Sequence, residues 1–274
     1  MSKPKITYIS PPQDKTSLNL KELIHYKELV FILIWREIKI RYKQTIIGSA
    51  WAIIQPVISM IVFTLLFDKM MDIPSGNVPY PVFSFCALVP WTFFSHCLVK
   101  NSRCLIDNRS LLTKVYFPRL IYPISATFGG LLDFVIALLF LGVLMVFYSF
   151  VPSISVLLFP LFFLLCILAI LGIGFWLAAI NVKYRDFLNI LPFLTQIWLF
   201  ITPVAYSSDL IPENLKFVYG LNPMAGVVEG FRWTILGQNP SFSILLASFL
   251  STSFLFLSGI YFFKSREDYF AELI

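Results

Sequence analysis

The sequence is short of charge, of histidine and of the motifs that mark enzymes. Charged residues make up 13% of its 274 positions, where a soluble protein carries about 25%. Its two histidines, His25 and His96, belong to no HExxH or other metal-ligand spacing. The four cysteines, Cys86, Cys97, Cys104 and Cys166, have neither zinc nor disulfide spacing. Three of them lie in or beside apolar runs, where cysteine packs as a small hydrophobe. No GxSxG is present, which excludes a nucleophile elbow. No Gly-Lys dipeptide occurs, so the chain cannot build the Gly-Lys-Ser/Thr phosphate loop and cannot bind ATP in that way. The N-terminal MSKPKITYISPPQDKTS has no apolar core, so it is no cleavable signal peptide and reads as a disordered cytoplasmic tail over 1–20. Within the apolar runs only one acid stands out, Asp133 in GGLLDFVIALL, which is too few for an ion relay. Neither a cofactor, a metal nor a nucleic-acid partner is expected.

What the chain does have is apolar length. Hydrophobic residues make up 58% and the mean hydropathy is +0.81, which implies a polytopic, all-α membrane protein. Six segments are predicted: Ile46–Phe67, Pro81–Val99, Leu120–Phe150, Val156–Ile180, Leu188–Tyr206 and Phe242–Phe263. The third is long for one span, and Pro123 either starts it or kinks it. Eighteen of the 21 Lys and Arg fall before the first segment, in the two loops after the second and fourth, or after the sixth. That bias places both termini, including the C-terminal tail 264–274, in the cytoplasm, as an even number of spans requires.

The stretch from Trp35 to Pro56, WREIKIRYKQTIIGSAWAIIQP, turns from a basic segment into the first apolar run. On a helix, Phe31, Ile34, Trp35, Ile38 and Tyr42 form one stripe, with Arg36, Lys39 and Lys43 opposite. Residues 21–45 therefore read as an interfacial helix with its basic side, which also counts Arg41, among lipid phosphates. An ordinary positive flank that only orients the first span is the alternative. Between the fifth and sixth segments lies NPMAGVVEGFRWTILGQNP. Asn222 can cap a helix, Pro223 suits its first turn and Gly237 its end. About 14 residues are too few to span, so 209–240 reads as a re-entrant helical hairpin, with a surface amphipathic helix as the alternative. Glu229 and Arg232 are spaced to pair on one face. Asp133 beside Gly129 and Gly130 points to close helix packing and needs a partner or water. Aromatic side chains crowd the second segment and recur in the first and fifth. Their faces suit sugar rings, although interface belts and lipid contact explain them as well.

Five blocks in order, REIKIRYKQTIIGSAWAIIQP, VPYPVFSFCALVPWTFFSHCL, NRSLLTKVYFPRLIYPIS, LNPMAGVVEGFRWTILG and FKSREDYFAELI, resemble the permease subunit of polysaccharide ABC exporters of the ABC-2 type, in its lipopolysaccharide O-antigen branch. The resemblance covers Leu29 to the C-terminus. It implies a transmembrane domain over 46–263, a homodimer, and two separate ATPase subunits, some of which in such systems carry a carbohydrate-binding domain. It implies a cytoplasmic coupling segment over 101–118 with Asn108, Arg109, Leu111 and Lys114 as contacts. The hairpin with Glu229 and Arg232 becomes a periplasmic gate. Trp51, Tyr80, Trp91, Phe94, Trp198 and Tyr206 become candidates for the channel wall, and Arg36, Lys39, Arg41 and Lys43 for the lipid pyrophosphate of an undecaprenyl-linked O-antigen. Location in the bacterial inner membrane follows. Export of teichoic acid, capsule, lipid or drug is the alternative, and a membrane glycosyl- or acyltransferase a remote one.

Overall fold

The computed structural model describes residues 20–43, 50–72, 76, 78–115, 117–152, 154–267 and 270. The expected tail thus lies almost wholly outside the described residues. The described residues are helical, joined by short connections. Helices α1 (Leu20–His25) and α2 (Lys27–Tyr42) precede α3 (Trp51–Phe63), which runs on as π-helical turns to Met70. Helix α4 (Tyr80–Asp107) is followed by the short α5 (Arg109–Leu112), then α6 (Ile121–Gly129) and α7 (Leu131–Phe147). Helix α8 (Phe159–Lys183) follows a 3-10 turn, and α9 (Phe187–Ile201) ends before the pair α10 (Glu213–Gly220) and α11 (Pro223–Phe231). Helix α12 (Phe242–Arg266) closes the chain.

Among the described residues, five stretches are long and apolar enough to cross a bilayer: Trp51–Met70, Tyr80–Asp107, Ile121–Phe147, Ile154–Lys183 and Phe242–Arg266. The expected fifth segment, α9, has 15 residues, about 22 Å at 1.5 Å per residue against a hydrocarbon core of about 30 Å. The expected third segment is two helices. Its break lies at Gly130 and not at Pro123, which sits in the first turn of α6. A Cβ at Gly130 would stand 2.5 Å from Cys97 Sγ of α4, so the missing side chain lets α4 cross at that point.

Helix α4 is the axis of the bundle, with most of its apolar side chains fully buried. Amides hold its neighbours in place. Asn101 Nδ2 donates to Thr127 Oγ1 of α6 at 2.9 Å, and Asn181 Nδ2 of α8 donates to the Ser102 carbonyl at 2.9 Å. In an apolar surround each such bond is favoured over an unpaired polar group. Helices α8 and α12 approach at backbone distance. A Cβ at Gly172 would stand 2.8 Å from Phe256 N, and one at Gly259 would stand 2.3 Å from the Gly172 carbonyl oxygen. This is the small-residue mode of membrane helix packing.

Two boundaries differ from expectation. Helix α4 continues to Asp107, so 101–107 are its last turns and the connection proper begins at Asn108. Helix α12 runs on to Arg266, past the expected boundary at 264, and described residues beyond it pack on the bundle. Arg119 N donates to Glu267 Oε1 at 3.0 Å, and Phe270 is buried with its ring 5.0 Å from Phe263.

Gly172→Val should lower the melting temperature of the detergent-purified protein by about 2 °C or more, because overpacking costs about 1–3 kcal/mol and each kcal/mol is worth about 2–4 °C in a large chain. Gly142→Ala should leave it unchanged, since a Cβ there meets nothing within 4 Å. Equal melting temperatures for both variants would refute the close α8–α12 crossing.

Candidate functional site

The site begins with the way α2 lies on the bundle. Leu33 is buried, Leu29 and Val30 pack beside it, and the helix rests on α6. Contact is closest where Gly129 offers no side chain: a Cβ there would stand 2.9 Å from Glu37 Cβ. Four residues on in α2, and four residues on from Gly129 across the Gly130 break into α7, Arg41 meets Asp133. The glycine contact thus lies one turn of α2 before the ion pair. Tyr42 adds its hydroxyl to Asp133, and Arg41 Nη1 lies 3.2 Å from His96 Nδ1 on α4. Burial, and then this bond to Asp133, hold the Tyr42 phenol well above its ordinary pKa.

This corrects the picture of one basic face turned to lipid. Arg41 faces the bundle. Arg36 does too: it bonds Asn108 Oδ1 and lies 3.2 Å from Glu37, whose other oxygen is 3.8 Å from Lys100. Lys39 and Lys43 are the exposed cations, Lys39 lying 5.5 Å over the Trp35 ring. The outward surface of α2 carries Phe31, Ile32, Trp35 and Ile40, each at least half exposed. Tyr42, expected on the apolar stripe, bonds a carboxylate instead.

Above the Arg41–Asp133 pair opens a cavity of about 450 Å³ walled by α3, α4, α7 and α9. Trp51 and Trp91 line it, together with Gln55, Ser59, Thr92, Ser95, His96, Thr195 and Gln196. The hydroxyl hydrogens are already used: Ser59 donates to the Gln55 carbonyl at 3.1 Å, Thr92 to Leu88 at 2.8 Å, and Thr195 to Pro192 at 2.8 Å. Apolar helices can therefore carry these groups while their oxygens remain free to accept. The wall thus alternates indole faces with hydrogen-bonding groups and ends at the Arg41–Asp133 ion pair. Such a surface suits a polyhydroxylated chain. Apart from Trp51, Trp91, Arg41 and Asp133, sequence reasoning missed these residues. The legible signal was polar residues one turn apart within apolar runs, Gln55 with Ser59 and Thr92 with His96.

Four expected channel aromatics do not line this cavity. Tyr80 donates its hydroxyl to the Ala205 carbonyl at 2.6 Å. Phe94 packs between Trp91 and Trp198, with ring centroids 5.6 and 5.2 Å away. Trp198 Nε1 donates to Asn222 Oδ1 at 2.9 Å, and the Tyr206 and Tyr219 hydroxyls meet at 2.9 Å. Phe94 packs α4 on α9, Tyr80 ties α4 to the connection after α9, and Trp198 and Tyr206 reach the α10–α11 pair. In the connection after α4, Asn108 is buried between Arg36 and the Cys104 carbonyl, to which its Nδ2 donates at 2.7 Å. Arg109 and Lys114 are exposed and Leu111 is half-buried.

At the other end of the bundle two short helices, α10 and α11, pack on α12. The Asn222 side chain accepts from Met224 N at 3.1 Å, Pro223 opens α11, and Gly237 ends its continuation at φ 72°. Ser248 of α12 fixes the pair: its Oγ accepts from Gly226 N at 2.9 Å and donates to the Gly220 carbonyl at 2.7 Å. The expected Glu229–Arg232 ion pair does not form. Glu229 accepts from Ser208 Oγ at 3.1 Å and Ser241 N at 2.7 Å, while Arg232 donates to the Tyr206 and Val204 carbonyls at 3.0 and 2.8 Å. Each charge ties a loop to α11 instead. Burial lifts the Glu229 carboxyl above its usual range, with the Ser241 N–H and the Ser208 hydroxyl pulling the other way.

Residues 28–236 match the ABC-2 type transporter family. The chain is 33% identical over 259 residues to the O-antigen export system permease protein RfbA of Myxococcus xanthus, covering 93% of this chain and 98% of that protein. A Klebsiella pneumoniae protein with the same name is 24% identical, over 94% of this chain and all of its own length. The polysialic acid transport protein KpsM of Escherichia coli is 25% identical over 88% of this chain and 95% of its own.

A double-mutant cycle on Arg41→Gln and Asp133→Asn, read by thermal unfolding in detergent, should give a coupling energy of about 1–3 kcal/mol. Strictly additive effects would show that the pair does not anchor α2.

Proposed function

The chain belongs to the ABC-2 type transporter family, and from that premise we propose that it is the permease subunit of an ATP-driven exporter of lipid-linked O-antigen polysaccharide. The observation that carries this reading is the 33% identity spanning 93% of the chain and 98% of an O-antigen export permease. The capsule alternative rests on relatives of lower identity. A chain unable to form the phosphate loop needs ATP hydrolysis, and with it bound ATP and magnesium, from a separate partner.

In this reading the protein sits in the bacterial inner membrane with six spans, α9 being the short one, and both termini in the cytoplasm. The basic-residue bias supports that orientation. Two copies pair across α3 and α9, whose outward faces carry Ile58, Leu65, Phe193 and Phe200 largely exposed. The cavities of the two copies then form one path, along which Trp51 and Trp91 give a sugar chain apolar faces to slide on. Lys39 and Lys43 hold the lipid pyrophosphate at the membrane surface, with Arg41 behind them. Asp133 keeps Arg41 in place until the phosphate competes for it. Two ATPase subunits dock on Arg109–Leu112 and Lys114. The bond from Arg36 to Asn108 carries their movement into α2. The hairpin from Asp209 to Gly237 gates the periplasmic end.

Deleting the gene should abolish surface glycan while lipid-linked glycan accumulates inside the cell, and the wild-type gene should restore export. Surface glycan that survives deletion would sink the reading. Arg109→Glu with Lys114→Glu should reduce co-purification of the ATPase by about tenfold, since reversing a rim charge costs on the order of 1 kcal/mol or more. Undiminished co-purification would move the docking surface elsewhere.

A further inference from the structure

A second cavity, of about 600 Å³, lies at the opposite end of the bundle from Arg41, between the α3–α4 and α9–α10 connections and α11. Its volume is that of a small-ligand site. Glu229 and Arg232 stand in its wall one turn apart, 7% and 4% exposed. Both are only half satisfied. Glu229 Oε1 takes the Ser208 hydroxyl and the Ser241 N–H, but Oε2 has no hydrogen-bond partner. Both terminal nitrogens of Arg232 are spent on carbonyls and its guanidinium is clamped 3.6 Å over the Phe83 ring, but Nε has no partner. A buried acceptor and a buried donor left open together carry a desolvation penalty.

The ligand that relieves both must donate and accept within a few ångströms. A divalent cation would suit Glu229 and Asp209 but meet the charge of Arg232. An anion would suit Arg232 but meet the two carboxylates. A hydroxyl both donates and accepts and carries no charge. The rest of the wall suits a sugar ring: Asp209 and Asn239 at the rim offer polar groups, while Phe150 and Leu236 offer apolar faces to ring C–H groups.

We propose that this cavity is a saccharide subsite in which Glu229 and Arg232 share the hydroxyls of one sugar ring. That the sugar is a unit of the exported glycan rests on the transport reading above.

The test uses the full chain purified in detergent and saturation-transfer NMR. The probes are methyl glycosides of galactose, glucose, mannose and rhamnose, and oligosaccharides released from the surface glycan of the source strain. At least one probe should bind saturably. Glu229→Gln should weaken it about fivefold or more, the worth of one lost hydrogen bond. Asn239→Trp, which plugs the exposed rim without touching the buried pair, should abolish it. Calcium and inorganic pyrophosphate should not compete. The proposal is overturned by saturable binding with none of the probes, by binding unchanged in Asn239→Trp, or by stoichiometric calcium binding lost in Glu229→Gln. If gene deletion leaves surface glycan intact, the transport reading fails while the titration still decides the subsite. If deletion removes the glycan but Asn239→Trp binds and exports as wild type, the subsite alone fails.

Discussion

A carboxylate set in an apolar helix has to be neutralised by a group from another segment, and here Arg41 does it. Asp133 could not sit in GGLLDFVIALL uncompensated, since a lone charge at that depth costs about 2.5–3.5 kcal/mol. The pair with Arg41 and the added Tyr42 hydroxyl bring α2 against the bundle. Glycine at 129 allows the approach one turn of α2 before the pair. With α2 fixed, Arg36 reaches Asn108, so the connection after α4 is tied to the same body. The wall of the cavity and the connection after α4 thus share one anchor.

The other end depends on backbone approach. Helix α11 is buried at every position from Pro223 to Phe231. It fits only because Gly226 and Gly230 leave room: a Cβ at these positions would stand 2.4 Å from Ser248 and 2.0 Å from Phe162. Ser248 then uses one hydroxyl to hold two carbonyls and an amide of the hairpin. Trp198 and Thr202 extend the hold through Asn222, so the capping residue of α11 is also the bolt between the hairpin and α9. Together these contacts hold α11 where Glu229 and Arg232 line the second cavity.

The sequence alone determined what depends on composition and local chain chemistry. The membrane class followed from hydropathy, the lack of a Gly-Lys-Ser/Thr phosphate loop from the absent Gly-Lys, and the bounds of α11 from Asn222, Pro223 and Gly237, because capping is a matter of neighbours along the chain. The family was legible in five ordered blocks. Partners across space were not. Helical periodicity put Arg36 with Lys39 and Lys43 but could not say that Arg36 faces an amide and Arg41 an acid some ninety residues on, because periodicity fixes a face and not its neighbour. Spacing allowed a Glu229–Arg232 pair, yet loop carbonyls and amide hydrogens claimed both groups, since in a dry interior every polar atom competes for the nearest complement. Tertiary structure alone decided which aromatics line a cavity and which are fasteners, because that depends on the rotation of each helix about its axis as set by where glycines let another helix come close.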